Sequence, residues 1–354
     1  MTTEPEVLCR IESGVGRITL NRPKALHALT LGMCEAMIDA LQAWKVDDAV
    51  RCILIDHSGE RGFCAGGDIR MLAESGAGDG KAARLFFHTE YRLNHLLFVY
   101  PKPVVAVMDG VTMGGGVGLS MPASVRIATE RTTFAMPETG IGLFPDVGGG
   151  WFLPRLPGRA GLWLALTGAR IKAADCCALG IATHFMPSEK IDAFKAALLE
   201  HPDAVAGALA PYVDGAGRGP IEAYQADIAN LFGRGSVEAI LRALKRDGGE
   251  WARDQLAILA TKSPQTLKVA FRQLEHGHRF RDFADNMVME YRIAARVVQM
   301  HDFLEGVRAV IIDKDNAPRW SPSRVDLVED DMIDRIFAVL PPGEDWIPLG
   351  ETRP

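Results

Sequence analysis

Two carboxylates, Glu138 and Asp146, lie close together in an otherwise apolar stretch, FAMPETGIGLFPDVGGGWFLP. Burial against Phe144, Trp151 and Phe152 would raise the pKa of such a carboxyl group, because desolvation disfavours the charged form. A carboxyl group with a raised pKa suits proton transfer, and a buried carboxylate suits direct attack on a carbonyl carbon. A single loop acid is more often a solvated turn residue or a helix cap. Two acids in one apolar stretch favour a catalytic pair.

Glycine-rich segments accompany these acids. The segment Met113–Gly150 holds nine glycines, and glycine lets the backbone adopt positive φ and approach a ligand closely. A dinucleotide-binding fingerprint is disfavoured, because Leu119 stands where GxGxxG from Gly114 requires its last glycine. Two interpretations remain: tight helix packing, or an oxyanion hole whose backbone N–H groups stabilise a carbonyl oxygen that gains charge. The segment FCAGGD at Phe63–Asp68 also follows a predicted strand and offers a second donor for such a hole.

Other polar side chains give weaker signals. Glu90 shares a predicted helix face with apolar neighbours, and it is either a carboxylate at the rim or a contact within the site. His276 and His278 have a spacing that two metal ligands could use, but no third ligand follows at a recognisable spacing, so a helix end without metal is predicted. The motif GxSxG is absent, which excludes the serine of an α/β-hydrolase.

Composition limits the class of protein. The 354 residues are 48% apolar and 24% charged, which predicts a folded core. A formal net charge of −6 argues against a nucleic-acid partner, although a local cationic cluster can still bind an anionic ligand. No apolar run reaches the roughly 18 residues of a membrane helix, and no signal sequence is recognisable. Six scattered cysteines, with Cys176 and Cys177 adjacent on a predicted helix, indicate reduced thiols and a cytoplasmic location.

The order of predicted elements indicates an α/β fold. A hairpin is expected over Val7–Leu20, with its turn at Ser13-Gly14, and buried strands are expected at 52–56 and 104–108. Glycine-bearing turns and amphipathic helices separate these strands, whereas the chain after Gly158 is chiefly helical. A boundary near Pro187 is predicted, with a core over residues 1–187 and a mainly helical region over residues 188–354.

Three segments, NRPKALHALT, FCAGGDI and VVAVMDGVTMGGGVGL, resemble the core signatures of the crotonase (enoyl-CoA hydratase/isomerase) superfamily in order and spacing. The resemblance implies a spiral of ββα units with a helical C-terminal region, which serves as a trimer contact or as a cap, so a homo-oligomer is compatible with it. The implied ligand is an acyl-CoA, whose thioester carbonyl is held by the N–H groups of Gly67 and Gly115. Arg22, Lys24 and Asp68 lie in the stretches that the resemblance assigns to CoA binding.

The resemblance also bears on the reaction. Hydratases of this superfamily carry a glutamate three residues after the second hole glycine, and that position is Gly118 here; their other acid matches Glu138. Further segments, among them FAMPETGIGLFPDVGGGWFLPRL and HDFLEGVRAVIIDKDNAPRW, resemble the thioester-hydrolase branch. This implies hydrolysis of 3-hydroxyisobutyryl-CoA in valine catabolism without a cofactor. The breadth of acyl chains stays open, and 3-hydroxypropionyl-CoA is a second candidate for the same pocket. The resemblance also implies Glu90, Gly115, Glu138 and Asp146 as substrate contacts.

Three functions are therefore compared. In the first, Glu138 attacks the thioester or activates water, while Asp146 binds the substrate hydroxyl and helps to protonate the leaving thiolate. In the second, a hydratase or isomerase uses Glu138 alone. In the third, the chain binds acyl-CoA without catalysis. Release of free CoA separates the first from the others.

Overall fold

A computed structural model describes residues 4–59 and 61–350, and contact density divides the chain into two units. Unit 1 consists of Met1–Gly67, Arg92–Phe134 and Ile171–Glu222, and unit 2 consists of Asp68–Tyr91, Ala135–Arg170 and Ala223–Pro354. Both units take residues from either side of Pro187, so the predicted boundary there stays a prediction.

The strands form two sheets. Their bounds are β1 Val7–Glu12, β2 Val15–Leu20, β3 Cys52–His57, β4 Gly62–Cys64, β5 Val104–Met108, β6 Val111–Met113, β7 Val125–Ala128, β8 Thr133–Ala135, β9 Ile171–Lys172 and β10 His184–Phe185. One sheet has the order β1-β2-β3-β5-β7-β10, and the other has the order β4-β6-β8-β9. After the β1–β2 hairpin, which lies wholly in the first sheet, each later pair (β3 and β4, β5 and β6, β7 and β8, β9 and β10) gives one strand to each sheet, as a spiral of ββα units requires.

The helices follow the strand pairs and then dominate the rest of the chain. Their bounds are α1 Leu31–Val46, α2 Ile69–Gly76, α3 Lys81–Phe98, α4 Gly115–Ser120, α5 Gly149–Phe152, α6 Ala160–Thr167, α7 Ala173–Ala178, α8 Ile191–Glu200, α9 Val205–Leu209, α10 Gln225–Phe232, α11 Val237–Asp247, α12 Glu250–Ala260, α13 Pro264–Gly277, α14 Phe283–Val297, α15 His301–Val307 and α16 Asp330–Phe337. Among the helices in the described ranges, none combines the length and apolar character of a membrane span.

The core of unit 1 explains why its parallel strands are mostly apolar. Leu54, Val105 and Ile127 lie on neighbouring strands β3, β5 and β7, and they pack against Phe194 and Leu198 of α8. All five side chains are almost fully buried. Parallel strands covered by helices need apolar residues throughout, which is the pattern that predicted buried strands here.

Local signals in the sequence set the element ends as predicted. Val7 pairs with Leu20 and Glu12 pairs with Val15, which confirms the hairpin; Ser13 and Gly14 both have positive φ, as a tight hairpin turn requires. Thr30 caps α1, because its side chain accepts a hydrogen bond from the N–H of Met33.

Candidate active site

Two glycines follow neighbouring strands at one edge of a sheet in unit 1. Strands β4 and β6 pair in parallel, so their carboxyl ends lie side by side. Gly67 follows the end of β4, and Gly115 begins α4 just after β6. The segments are close to each other, since a Cβ built on Gly66 would lie 4.0 Å from the Cα atom of Gly114.

The amides of these two glycines are free to bind an acceptor. Leu29 donates its N–H to the carbonyl of Gly66 at 2.8 Å, which fixes the first loop without using the N–H of Gly67. The first turn of α4 starts at the carbonyl of Gly114, and the N–H of Gly115 belongs to the set that has no acceptor within its own helix. Across residues 4–59 and 61–350, neither amide donates a hydrogen bond to the protein. Both can therefore stabilise an oxyanion.

Close packing fixes the first turn of α4. A Cβ built on Gly116 would lie 2.4 Å from the carbonyl oxygen of Cys64, at the end of β4. Only glycine allows this approach, so the backbone around Gly115 has little freedom to move relative to β4.

We expect Gly116→Ala to lower kcat at least tenfold, because the new methyl group displaces α4 and with it the N–H of Gly115. Loss of one oxyanion-hole donor typically lowers kcat by about 10²–10³-fold. Gly32→Ala on α1 is the matched control, since nothing lies within 4 Å of its added Cβ. Equal activity of the two folded variants would contradict a role for α4 in catalysis.

Unit 2 brings together the acids that the sequence predicts. Glu90 lies on α3, Glu138 begins a 3₁₀ turn at Glu138–Ile141, and Asp146 lies in the loop before α5. Their exposed fractions are 2%, 5% and 5%. The hydroxyl of Tyr91 donates to Oδ2 of Asp146 at 2.9 Å. The interpretation of Glu90 as part of a buried cluster is thus favoured over a solvated rim position.

Burial and mutual repulsion set the protonation of the cluster. Desolvation raises the pKa of Asp146 to about 7, against the hydrogen bond from Tyr91, which lowers it. Desolvation and the charge of Asp146 raise the pKa values of Glu90 and Glu138 well above the usual glutamate range. Near neutral pH the cluster therefore holds both protonated and ionised carboxyl groups, as a site that moves protons needs.

Two carboxylate oxygens in this cluster accept no hydrogen bond from the described residues. Oε1 of Glu90 and Oε2 of Glu138 are buried, and neither has a hydrogen-bond partner among the described residues. Buried polar atoms without a partner are rare and mark sites for a ligand or a reacting group. These oxygens are the atoms through which the cluster can contact a substrate or water.

The turn that carries Glu138 is held by residues distant in sequence. The N–H of Ser263 donates to the carbonyl of Thr139 at 3.0 Å, and the Ser263 hydroxyl donates to buried Asp302 at 2.6 Å. A Cβ built on Gly142 would lie 2.1 Å from the carbonyl oxygen of Asp302, so the turn rests against α15. Ser263 also caps α13, and nothing in the sequence around it indicates its contact with the turn of Glu138.

The loop that carries Asp146 is also anchored by two distant helices. Gln273 of α13 donates to the carbonyl of Pro145 at 2.6 Å. Glu290 of α14 accepts the N–H groups of Gly148 and Gly150, each at 2.8 Å. Neither Gln273 nor Glu290 can be recognised from the sequence around it. A polar residue in an apolar helix pattern does not indicate which distant residues it contacts.

The three residues assigned to CoA binding occupy different settings. Arg22 forms an ion pair with Glu6 at 2.9 Å, and Lys24 is exposed on a 3₁₀ turn at Pro23–Ala25. Asp68 caps α2 by accepting the N–H of Met71 at 3.3 Å. Their contacts with CoA stay predictions.

Replacing Glu138 with glutamine is expected to stabilise the fold at pH 8 more than at pH 5. The raised pKa means that the folded chain binds this proton more tightly than the unfolded chain. The contribution of this proton to the stability of the fold is therefore fully present below the pKa of Glu138 in the unfolded chain, and it is lost as pH rises through the pKa of Glu138 in the folded chain. A neutral amide avoids that loss, and the gain at pH 8 is expected to be on the order of 1–3 kcal/mol. Thermal unfolding of both proteins at both pH values checks this; an equal gain at pH 5 and pH 8 would exclude ionisation as the cause.

Known proteins resemble the chain over almost its whole length. The sequence profile of the enoyl-CoA hydratase/isomerase family matches residues 15–337. A mitochondrial 3-hydroxyisobutyryl-CoA hydrolase from Danio rerio is 47% identical over 344 residues, which cover 95% of this chain and 90% of that protein. The enzyme of the same name from Homo sapiens is 43% identical, covering 95% and 89%. The crystal structure of a carnitinyl-CoA dehydratase from Mycobacterium thermoresistibile matches with a TM-score of 0.93 at 39% identity, covering 98% of this chain and 100% of that one.

These comparisons correct the predicted location. A cytoplasmic protein is expected from the sequence, but the Danio rerio and Homo sapiens relatives are named as mitochondrial, so that prediction is wrong. Its basis was the reduced state expected of the six cysteines, none of which forms a disulfide in the part of the chain that the structure describes. Reduced cysteines indicate a reducing environment and do not distinguish one reducing compartment from another.

Proposed function

Because this chain belongs to the enoyl-CoA hydratase/isomerase family, we propose that it hydrolyses the thioester of 3-hydroxyisobutyryl-CoA, producing 3-hydroxyisobutyrate and free CoA. The observation that best supports this proposal is the buried pair of Glu138 and Asp146, in a chain 47% identical to a named hydrolase of that substrate. The reaction balances with water alone, so the proposal includes no cofactor. It places the chain in valine breakdown.

The oxyanion hole supplies the electrophilic half of the proposed chemistry. The thioester oxygen accepts hydrogen bonds from the N–H groups of Gly67 and Gly115, which have no protein acceptor in the described residues. As a nucleophile adds to the carbonyl carbon, the oxygen gains negative charge and these bonds strengthen. The substrate carbonyl is thereby activated before the C–S bond breaks.

The acids supply the nucleophile and the proton. In its ionised form, Glu138 either attacks the carbonyl carbon, forming an anhydride that water then hydrolyses, or removes a proton from the water that attacks. Because burial and the charge of Asp146 raise the pKa of Glu138, the rate is limited at low pH by the fraction of the protein in which this group is ionised. In both routes the C–S bond breaks and the thiolate of CoA leaves. Asp146, whose pKa of about 7 keeps a proton available near neutral pH, donates to that thiolate and binds the substrate hydroxyl.

Heavy-oxygen water separates the two routes. A single turnover in this solvent places the label in the carboxylate of Glu138 if an anhydride forms and water attacks its enzyme carbonyl. Absence of label from Glu138 counts against the anhydride route.

Hydration of an enoyl-CoA is the second candidate, favoured by the 39% identical structure named as a dehydratase. The residues argue against it. Gly118, where the resemblance implies the second acid of a hydratase, is buried in α4 and has no carboxylate to offer. Glu138 alone is left for a reaction that the resemblance assigns to two glutamates.

Release of free CoA is the direct test. The purified protein is mixed with 3-hydroxyisobutyryl-CoA, 3-hydroxypropionyl-CoA and isobutyryl-CoA, and thiol formation is followed beside a separate enoyl-CoA hydration assay. The proposal expects fast thiol release from the two hydroxyacyl substrates and slow release from isobutyryl-CoA, which lacks the hydroxyl. Hydration without thiol release would favour the hydratase, and binding without turnover of any acyl-CoA would favour a non-catalytic protein.

A further inference from the structure

Glu290 is a fully buried carboxylate whose oxygens are occupied by the protein. Its Oε2 accepts the N–H of Gly148 at 2.8 Å. Its Oε1 accepts three donors: the N–H of Gly150 at 2.8 Å, the amide of Asn286 at 2.9 Å and the amide of Gln273 at 3.1 Å. Four donors and no acceptor favour the ionised form, although burial and the charge of Asp146 raise its pKa to about 8. A carboxylate engaged in this way is suited to holding backbone in place.

The backbone that Glu290 holds is strained. Val147, directly after Asp146, has a φ of 51°, and Gly148 has a φ of 93°. Positive φ is unusual for a β-branched residue, because it brings Cβ too close to the following carbonyl oxygen. The N–H of Gly149 closes the turn by donating to the carbonyl of Asp146 at 2.8 Å. Such a conformation persists only where surrounding contacts enforce it.

The other side of Asp146 is tethered to the same network. Gln273 donates to the carbonyl of Pro145 at 2.6 Å and to Glu290 at 3.1 Å. Asp146 is therefore held from both directions along the chain, by two helices whose polar side chains bond to each other. The position of its carboxyl group depends on this network as well as on the hydroxyl of Tyr91.

We propose that Glu290 is a positioning residue for the hydrolysis: it fixes the turn at Val147 and Gly148 so that Asp146 is held where it serves the reaction. Glu290 does not contact substrate in this proposal, because all of its bonding is to the protein. The inference rests on the proposed function, since it assigns a purpose to the placement of Asp146.

Glu290→Gln tests the role with little change in volume. Three donors surround Oε1, so the oxygen of the glutamine side chain takes that position. Its NH₂ group then takes the position of Oε2 and faces the N–H of Gly148, so that two donors face each other. The bond to the N–H of Gly148 is lost and the turn relaxes. We expect kcat to fall at least tenfold with KM within about threefold, because a displacement near 1 Å can cost about 10²-fold in rate.

Two further variants separate positioning from general stability. Asp175→Asn removes the charge of a buried carboxylate in unit 1 that also accepts a backbone N–H, from Ile221 at 3.0 Å, and its kcat is expected to stay within twofold. Adding Val147→Gly to Glu290→Gln removes the strain that the turn must withstand, and kcat is expected to recover severalfold. All variants are assayed well below their unfolding midpoints, with circular dichroism as a check on folding.

The outcomes are distinct. A folded Glu290→Gln variant with wild-type kcat, an equal loss in Asp175→Asn, or a double variant no faster than Glu290→Gln would each overturn the inference. If the wild-type protein releases no CoA from 3-hydroxyisobutyryl-CoA, the proposed function fails instead. In that case the Gly148 amide still reports on the turn, because its hydrogen exchange should accelerate in Glu290→Gln if Glu290 holds it and stay unchanged if it does not.

Discussion

Glutamine in place of Glu138 is expected to lower kcat for release of CoA by about 10³-fold, within the range that positioned acids and bases supply. The amide cannot attack the thioester and cannot accept a proton from water. Its size and shape match those of the carboxylic acid, so KM is expected to stay within about threefold. The loss should therefore lie in the chemical step.

The matched control for this result is Glu74→Gln, which changes an exposed glutamate on α2 of the same unit. Thiol release at saturating substrate measures kcat for both variants, and their unfolding midpoints show that both are folded. A Glu138→Gln variant with more than a tenth of wild-type kcat would remove Glu138 from the proposed mechanism. A rise in KM without a fall in kcat would make it a binding contact only.

Much of the architecture follows from signals local to the chain. Thr30 and Ser263 cap α1 and α13 through short hydroxyl side chains, which favour helix starts, and the Ser13-Gly14 turn sets the first hairpin. The division into units does not follow in this way. Residues such as Tyr91 and Arg92 are consecutive on one helix, yet contact density assigns them to different units. Periodicity describes a single element and contains no information on which distant element it contacts.

The candidate site also contains residues that the local sequence reveals and residues that it does not. Glu138 and Asp146 can be found from the sequence, because acids in an apolar stretch are unusual and a shared segment keeps them near each other. Asp302 and Glu290 cannot, because each acts on that segment from a helix more than a hundred residues later. The chemically reactive groups lie in one segment, whereas the groups that fix their geometry come from helices across unit 2.

Asparagine in place of Asp146 is expected to lower kcat about 10²-fold and to move the acid limb of the pH profile to lower pH. The rate falls because the variant has no acidic proton for the leaving thiolate. The limb moves because the charge of Asp146 is one of the two causes that raise the pKa of Glu138. Without that charge, Glu138 ionises at a lower pH, and the shift should be on the order of one pH unit.

The substitution Asp146→Asn removes the charge and keeps the hydrogen bond of this side chain. The hydroxyl of Tyr91 donates to Oδ2 of Asp146 at 2.9 Å, and an asparagine oxygen can accept the same bond. Asp285→Asn, at an exposed position of α14, is the control and should leave both kcat and the limb unchanged. The measurement is kcat/KM for CoA release from pH 5 to pH 9. A limb that stays in place would mean that Asp146 does not act on the ionisation of Glu138. An acid limb that moves to higher pH would mean that Asp146 lowers the pKa of Glu138. This result would indicate that the two acids share a proton and do not repel each other as charges.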